Sequence, residues 1–310
     1  MMIKAEKGVP VQSLLEQGDL EICQHFNDKW LDNLILHPRP QKSGLSLAGY
    51  LKSIEKDRVQ VFGNTELGYL AQLDESKRET RLKNFLALKP PVILISQKQT
   101  CPEILLTLSS KNKTPLLVSE LRTSLLISRI SAILYRHFSR KIKINGVLMN
   151  IMGLGTLITG ESGIGKSETA LELINQGHQL VSDDLIEFYL DPNDEPVGRS
   201  LERIKQWLEV RGLGIINIID LFGVGALLEE IKLDLVINLE RWDRKKKYDR
   251  LGEDNLYFKI LGKEIPMYRL PVALGRNLAT LIEVTVKYYI SRRNGSKTFI
   301  EHIYGEEENG

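Results

Sequence analysis

Apolar residues fall along this chain in two patterns: short unbroken runs, and repeats every three to four positions. The run Pro91-Val92-Ile93-Leu94-Ile95-Ser96, behind two prolines, predicts a buried strand. Thr114-Pro115-Leu116-Leu117-Val118-Ser119 predicts a second. Between them, the stretch around Pro102-Glu103-Ile104-Leu105-Leu106 predicts a helix, which makes the region a strand–helix–strand unit with parallel strands. Residues 121–138 repeat at helical spacing, with Leu125, Ile127, Ile130, Ile133 and Leu134 as the expected buried face. The helix runs into Arg136, His137, Arg140, Lys141 and Lys143, which read as a solvated linker rather than a binding patch.

The pattern then changes. Residues 146–160 are uncharged and rich in Gly and β-branched side chains. That shift places a boundary near residue 140: residues 1–139 form an N-terminal α/β domain and residues 140–310 a second domain. The second domain opens with strands at 146–152 and 155–159. A helix follows from Lys166, with Ala170, Leu171 and Ile174 inside and Gly177 as its left-handed stop. A strand at 179–182 runs into Asp183-Asp184. Another spans 185–190 and ends at the turn Asp191-Pro192-Asn193-Asp194. Residues 277–293 predict an amphipathic helix that covers the core with Leu278, Leu281, Ile282, Val286, Tyr289 and Ile290.

Composition narrows the picture little. The 310 residues are 42% hydrophobic and 26% charged, as in a globular protein with a sizeable core. A net charge of +2 gives no global pull towards nucleic acid or membrane. No window approaches the ~20 apolar residues of a membrane span, and MMIKAEKGVPVQ lacks the apolar core of a secretory signal. Cys23 and Cys101 stand far apart without a metal or redox motif, which fits a reducing cytoplasm.

The chemistry starts at GESGIGKS, residues 160–167, which fits Gly-x-x-x-x-Gly-Lys-Ser/Thr between an apolar strand and an amphipathic helix. Gly160 and Gly165 let the loop turn its N–H groups onto phosphate oxygens, and the following helix adds its positive end. Lys166 should reach the outer phosphates and Ser167 should ligate Mg²⁺. A phosphate loop alone leaves the acceptor open, because ATPases, GTPases and kinases all use one. Asp183-Asp184, 17 residues beyond Lys166 at the expected end of the next strand, supplies one carboxylate for metal and one for proton transfer. Glu209 and Arg211 in LEVRGLGIIN could hold Mg²⁺ and phosphate, although from spacing alone a surface ion pair fits equally well. Residues 241–250 form a basic loop, and residues 271–277 read as a loop–helix junction.

Taken in order, GVLMNIMGLGTLITGESGIGKSETALELINQGHQLVSDD, LEVRGLGIINI, YDRLG and PVALGRNLATLIEV resemble the bifunctional HPr kinase/phosphorylase family over most of residues 145–290. VQVFGNTELGYLAQL and PPVILISQ extend the likeness more loosely into the first half. The resemblance implies a P-loop catalytic domain related to phosphoenolpyruvate carboxykinase. It also implies a cytoplasmic, homohexameric protein serine kinase that transfers phosphate from ATP or pyrophosphate to a serine of the phosphocarrier protein HPr. In the reverse direction, inorganic phosphate takes the phosphoryl group back and pyrophosphate leaves.

By position, the resemblance gives nucleotide binding to Gly160, Glu161, Ser162, Gly163, Ile164, Gly165, Lys166 and Ser167. Mg²⁺ binding falls to Ser167 and Glu209. Asp184 becomes the proton acceptor, with Asp183 in support or in the exchanged role, and Lys166 and Arg250 act on the transferring group. Pro271, Val272, Ala273, Leu274, Gly275 and Arg276 fall in the segment tied to dephosphorylation. Two positions depart from the family pattern. Asn145 stands where a catalytic histidine is usual and cannot take up a proton near neutral pH. Ala273 stands where a basic residue is usual. Both weaken the reverse reaction. Two further readings remain beside the kinase: a nucleotide- or phosphate-sensing regulator with weakened catalysis, and an ATPase acting on water.

Overall fold

The structure, a computed structural model, describes residues 8–201, 206–242, 256–273 and 277–295. The chain divides between Ser139 and Arg140 into two compact units. The first contains, in order, β1 (Val9–Pro10), α1 (Gln12–Leu15), β2 (Ile22–Phe26), β3 (Leu34–Ile35), β4 (Gln41–Lys42), α2 (Gly44–Leu47) and β5 (Gln60–Phe62). It continues with α3 (Asn64–Gln72), α4 (Glu75–Leu86), β6 (Ile93–Ile95), α5 (Glu103–Lys111), β7 (Leu116–Ser119) and α6 (Thr123–Phe138).

The strand–helix–strand unit read from the sequence is β6–α5–β7, and its strands are parallel. They sit in a five-stranded sheet of order β2-β7-β6-β5-β4, with only β2 antiparallel. Strand alternation explains the continuous apolar runs. Ile93, Ile95, Leu116 and Val118 pack into one core, while Leu94 and Leu117 pack into another on the opposite face.

One expected core residue is corrected. Leu125 is 42% exposed, and Leu126 is fully buried in its place beside Ile130, Ile133 and Leu134. The helix begins at Thr123, not at residue 121, and its buried stripe follows 126, 130, 133 and 134 at helical spacing.

The second unit contains β8 (Ile142–Ile151), β9 (Leu154–Gly160), α7 (Lys166–Asn175), β10 (Gln179–Leu190), β11 (Pro196–Ser200), β12 (Trp207–Val210), β13 (Gly214–Asn217) and α8 (Ile218–Phe222). After these come β14 (Glu230–Arg241), β15 (Leu256–Ile260), β16 (Lys263–Val272) and α9 (Leu278–Arg293). Its main sheet has the order β11-β10-β8-β9-β14-β16-β15, and β11 also pairs with β14, so five strands close on themselves.

Only β9, β14 and β16 run parallel. The two-residue turn Met152-Gly153, with φ of +55° and +85°, folds β8 back antiparallel onto β9. The segments 179–182 and 185–190, read from the sequence as two strands, are one strand, β10, antiparallel to β8. α7 and α9 cover one face of this sheet. Ala170, Leu173, Ile174, Ala279, Ile282 and Val286 are buried there, with Leu171, Leu278, Leu281, Tyr289 and Ile290 packed against them. Gly177 ends α7 with φ +92°, as its position suggested. Cys23 and Cys101 are both free. Among the described residues no helix is long and apolar enough to cross a membrane.

The register of α6 can be checked by paired truncations. Leu126→Ala should cost about 2–5 kcal/mol, whereas Leu125→Ala should stay within about 0.5 kcal/mol. Urea unfolding of the two variants measures both; equal losses would contradict this register.

Candidate active site

The phosphate loop is built by a close approach of backbones. β9 and β14 pair in parallel until Gly160 meets Leu239. A Cβ on Gly160 would lie 2.6 Å from the Leu239 carbonyl oxygen, and its φ is +147°, so only glycine fits this exit from the strand. Thr159 Oγ1 donates to Asn238 Oδ1 at 3.0 Å, and Asn238 Nδ2 donates to Glu240 Oε1 at 3.1 Å, which ties the two strand ends together. Gly163 and Gly165 also take positive φ, +75° and +102°. The side chain of Ile164 does not face a ligand: it is buried in the core beneath α7 and pins the loop from below.

α7 starts at Lys166, so the free N–H groups and positive end of the helix lie at the loop. Lys166 Nζ donates to the Gly160 and Glu161 carbonyls, both at 3.0 Å, and so lies back over the turn. Glu161 pairs with Arg241 Nε at 3.2 Å on the exposed side.

Ser162, Gly163, Gly165, Lys166, Ser167, Asp183, Asp184 and Glu209 all line one cleft of about 600 Å³. Ser167 Oγ donates to Asp183 Oδ2 at 2.9 Å. Burial pushes the Asp183 carboxyl up from its ordinary value, the Ser167 hydrogen bond opposes the shift, and the Asp184 charge adds to it. Asp184 is exposed in the cleft.

The two carboxylates stand in mid-strand, at the Val147 and Gly146 register of β8, and not at a strand end as expected. Asp184 takes φ +76°, rare for a side-chain-bearing residue within a strand. That conformation breaks the up–down alternation, so Asp183, Asp184 and Leu185 in succession all line the cleft. Opposite Asp184, Gly146 is tight against the neighbouring strand: a Cβ there would lie 2.7 Å from the Ile158 oxygen.

β12 supplies the facing wall. Its burial alternates, with Leu208 and Val210 in the core and Trp207 and Glu209 exposed. Trp207, Glu209 and Arg211, at every second position, therefore all face the cleft, joined by Ile215 opposite Glu209. The Arg211 guanidinium lies against the phosphate loop, where a Cβ on Gly163 would come within 3.2 Å of Nη2. Sequence reasoning left Arg211 between phosphate clamp and surface ion pair; the alternation of Leu208 and Val210 was the signal that turns it inward. Ser200 and Glu168 also reach the cleft, and no sequence motif marked either one.

The remaining expected residues lie elsewhere. Asn145 is exposed on β8 opposite Leu185 and does not line the cleft. Pro271 and Val272 end β16 beside Glu240 and Arg241 of β14, with the Trp242 N–H donating to the Val272 carbonyl; Ala273 follows directly. Arg250, Leu274, Gly275 and Arg276 lie outside the described residues. Among the described residues, no group of three or more His, Cys, Asp or Glu is assembled as a metal site.

Because burial disfavours the charged form of Asp183 in the folded state, Asp183→Asn should raise the melting temperature at pH 7–8. At about pH 3 and below the carboxyl is largely protonated both folded and unfolded, and the melting temperatures should converge. As pH rises through the raised value of Asp183, the wild type loses stability that the variant keeps. Thermal melts at several pH values measure the gap; a gap that widens towards acid would overturn this account.

The comparisons with known proteins come from both halves of the chain. HPr Serine kinase N terminus matches residues 9–134, and HPr Serine kinase C-terminal domain matches residues 136–303. A Bacillus subtilis (strain 168) protein named HPr kinase/phosphorylase is 39% identical over 287 residues, 93% of this chain and 92% of that protein. One of the same name from Bacillus cereus (strain G9842) is 40% identical over 305 residues, 97% of this chain and 98% of that one. A solved structure titled as the Hpr(Ser) kinase/phosphatase from Coxiella burnetii is 34% identical, covers 50% of this chain and 93% of its own, and has a TM-score of 0.45. With both family regions present in order and near 40% identity along almost the whole length, this chain belongs to the HPr kinase/phosphorylase family.

Proposed function

We propose that this chain is a Mg²⁺-dependent protein serine kinase that phosphorylates a serine of HPr with ATP or pyrophosphate as donor, and that it also runs the phosphorolytic reverse. The observation that carries this reading is the single cleft holding the phosphate loop, the Asp183–Asp184 pair and Glu209, in a chain of this family.

The residues divide the work by position. Loop N–H groups and the α7 N-terminus receive the donor phosphates. Lys166, now on loop carbonyls, exchanges them for phosphate oxygens when donor binds. Arg211, against Gly163, supplies a second cation on the same side. Asp184 is exposed and free of the Ser167 hydrogen bond, so it takes the proton of the attacking serine hydroxyl. Asp183 holds Ser167 and stays beneath it.

The donor set fits Mg²⁺. Glu168, Asp183, Asp184 and Glu209 outnumber Lys166 and Arg211 in the cleft, so a polyphosphate needs an accompanying divalent cation to enter. Ser167 and Glu209 would hold it. With so few protein ligands it would keep water and phosphate oxygens, as Mg²⁺ prefers, and when bound it would neutralise charge on the transferring group. Kinship of this domain to phosphoenolpyruvate carboxykinase, a cytoplasmic setting, a homohexamer, a role for Arg250 on the transferring group and a role for residues 271–276 in the reverse reaction complete the proposal.

Incubation with purified HPr, ATP and Mg²⁺ should yield phosphoserine on HPr, and Asp184→Asn should lower kcat by about a hundredfold or more. No phosphoserine under any effector condition would sink the kinase reading. ATP consumed at the same rate without HPr would favour an ATPase, and tight nucleotide binding without turnover a sensor. In the reverse direction, phosphoserine-HPr and phosphate should release pyrophosphate slowly, and Asn145→His should speed that release. An unchanged rate would count against the proton-carrying role of that position.

A further inference from the structure

Beyond the polar floor of the cleft, the β12–β13 hairpin carries an apolar rim. Trp207, Leu213 and Ile215 are 42%, 68% and 69% exposed. Scattered exposed apolar residues are ordinary, but several on one hairpin at the mouth of a cleft mark an interaction surface. The hairpin is held firmly: Leu208 and Val210 on its other face are buried in the core beneath α7. Leu213 sits at the tip between Gly212 and Gly214, whose φ values of +84° and +85° make the tight turn. Trp207 and Ile215 line the cleft, whereas Leu213 does not. A ligand confined to the cleft gains nothing from Leu213. A partner that touches all three is larger than the cleft and reaches into it.

We propose that Trp207, Leu213 and Ile215 dock an apolar surface of the acceptor protein beside the serine it presents to Asp184, an inference that rests on the kinase reading above. The polar floor handles charge and the rim handles the partner's surface, as in interfaces with an apolar anchor beside a polar region. A pre-set rim also orients the serine before transfer, which lowers the entropy lost in reaching the reactive geometry.

Leu213→Ser and Ile215→Ser in the full chain provide the test, with HPr as acceptor. Each should raise the KM for HPr by about tenfold, and in Leu213→Ser, whose side chain lies outside the cleft lining, the Kd for an ATP analogue should stay within about twofold. HPr binding by calorimetry to the Asp184→Asn chain, which separates docking from chemistry, should weaken to the same degree when Leu213→Ser is added. If HPr binds and is phosphorylated as before in both rim variants, the docking surface is wrong and the kinase reading stands. If the unaltered chain neither binds nor phosphorylates HPr, both fall. A weakened ATP analogue with unchanged HPr binding would instead make the rim a nucleobase platform. A change in assembly mass with unchanged HPr binding would make it an interface between copies. Either result overturns the proposal.

Discussion

The whole site hangs on one close approach, that of Gly160 to the Leu239 carbonyl where β9 and β14 part. Because nothing larger than glycine fits, the chain leaves the sheet in a fixed direction and enters α7 six residues later. That path sets Lys166 and Ser167 on the first turn. Ser167 then takes up Asp183 across to β10, which fixes the carboxylate pair. A two-stranded parallel contact thus sets where Lys166, Ser167 and the Asp183–Asp184 pair meet in the cleft. Ile164, buried under the loop, keeps the turn from rising off the sheet.

The two cleft walls use strand alternation in opposite ways. β12 obeys it, so Leu208 and Val210 anchor the strand while Trp207, Glu209 and Arg211 face the cleft. β10 breaks it at Asp184, and three consecutive residues turn to the cleft. The obedient wall costs little in stability. The broken wall carries a left-handed aspartate and a buried ionisable neighbour, both of which oppose folding by a few kcal/mol at most. The strain thus gathers at the cleft, on the strand that places two carboxylates beside the Gly160–Ser167 loop.

Much of this was legible in the sequence, and the reasons for success and failure are physical. The turn at residues 160–167 could be read because a tight strand-to-helix turn demands glycines at fixed places, and Gly177 because a helix stop demands a left-handed residue. The parallel β6–α5–β7 unit was readable because strands buried on both faces give unbroken apolar runs. The Asp pair was found but misplaced at a strand end, because no local pattern announces that an acidic dipeptide will be carried through the middle of a twelve-residue strand. Leu125 and Leu126 are adjacent, equally apolar helix formers, and only tertiary packing chooses between them. Arg211 needed the burial of its neighbours, a fact of the fold. Glu168, one residue past the motif on α7, and Ser200, at the end of β11, reach the cleft without holding a motif position themselves.

The departures from the family pattern can be weighed by what each direction of transfer requires. Moving a phosphoryl group to a serine needs a proton acceptor near the hydroxyl and cations on the donor. On the proposed reading, Asp184, Lys166 and Arg211, all lining the cleft, would answer those needs. The reverse adds a demand: a free phosphate, itself an anion, must be brought against a phosphoserine, so like charges meet before any bond forms. Relief comes from extra cations or from a group that can carry a proton. Asn145 is neutral at every pH of interest and stands exposed outside the cleft lining, and Ala273 adds no charge at the end of β16. On the proposed reading neither position serves the forward step, so both bear on the reverse direction alone, and a reverse slower than the kinase step is what that reading expects.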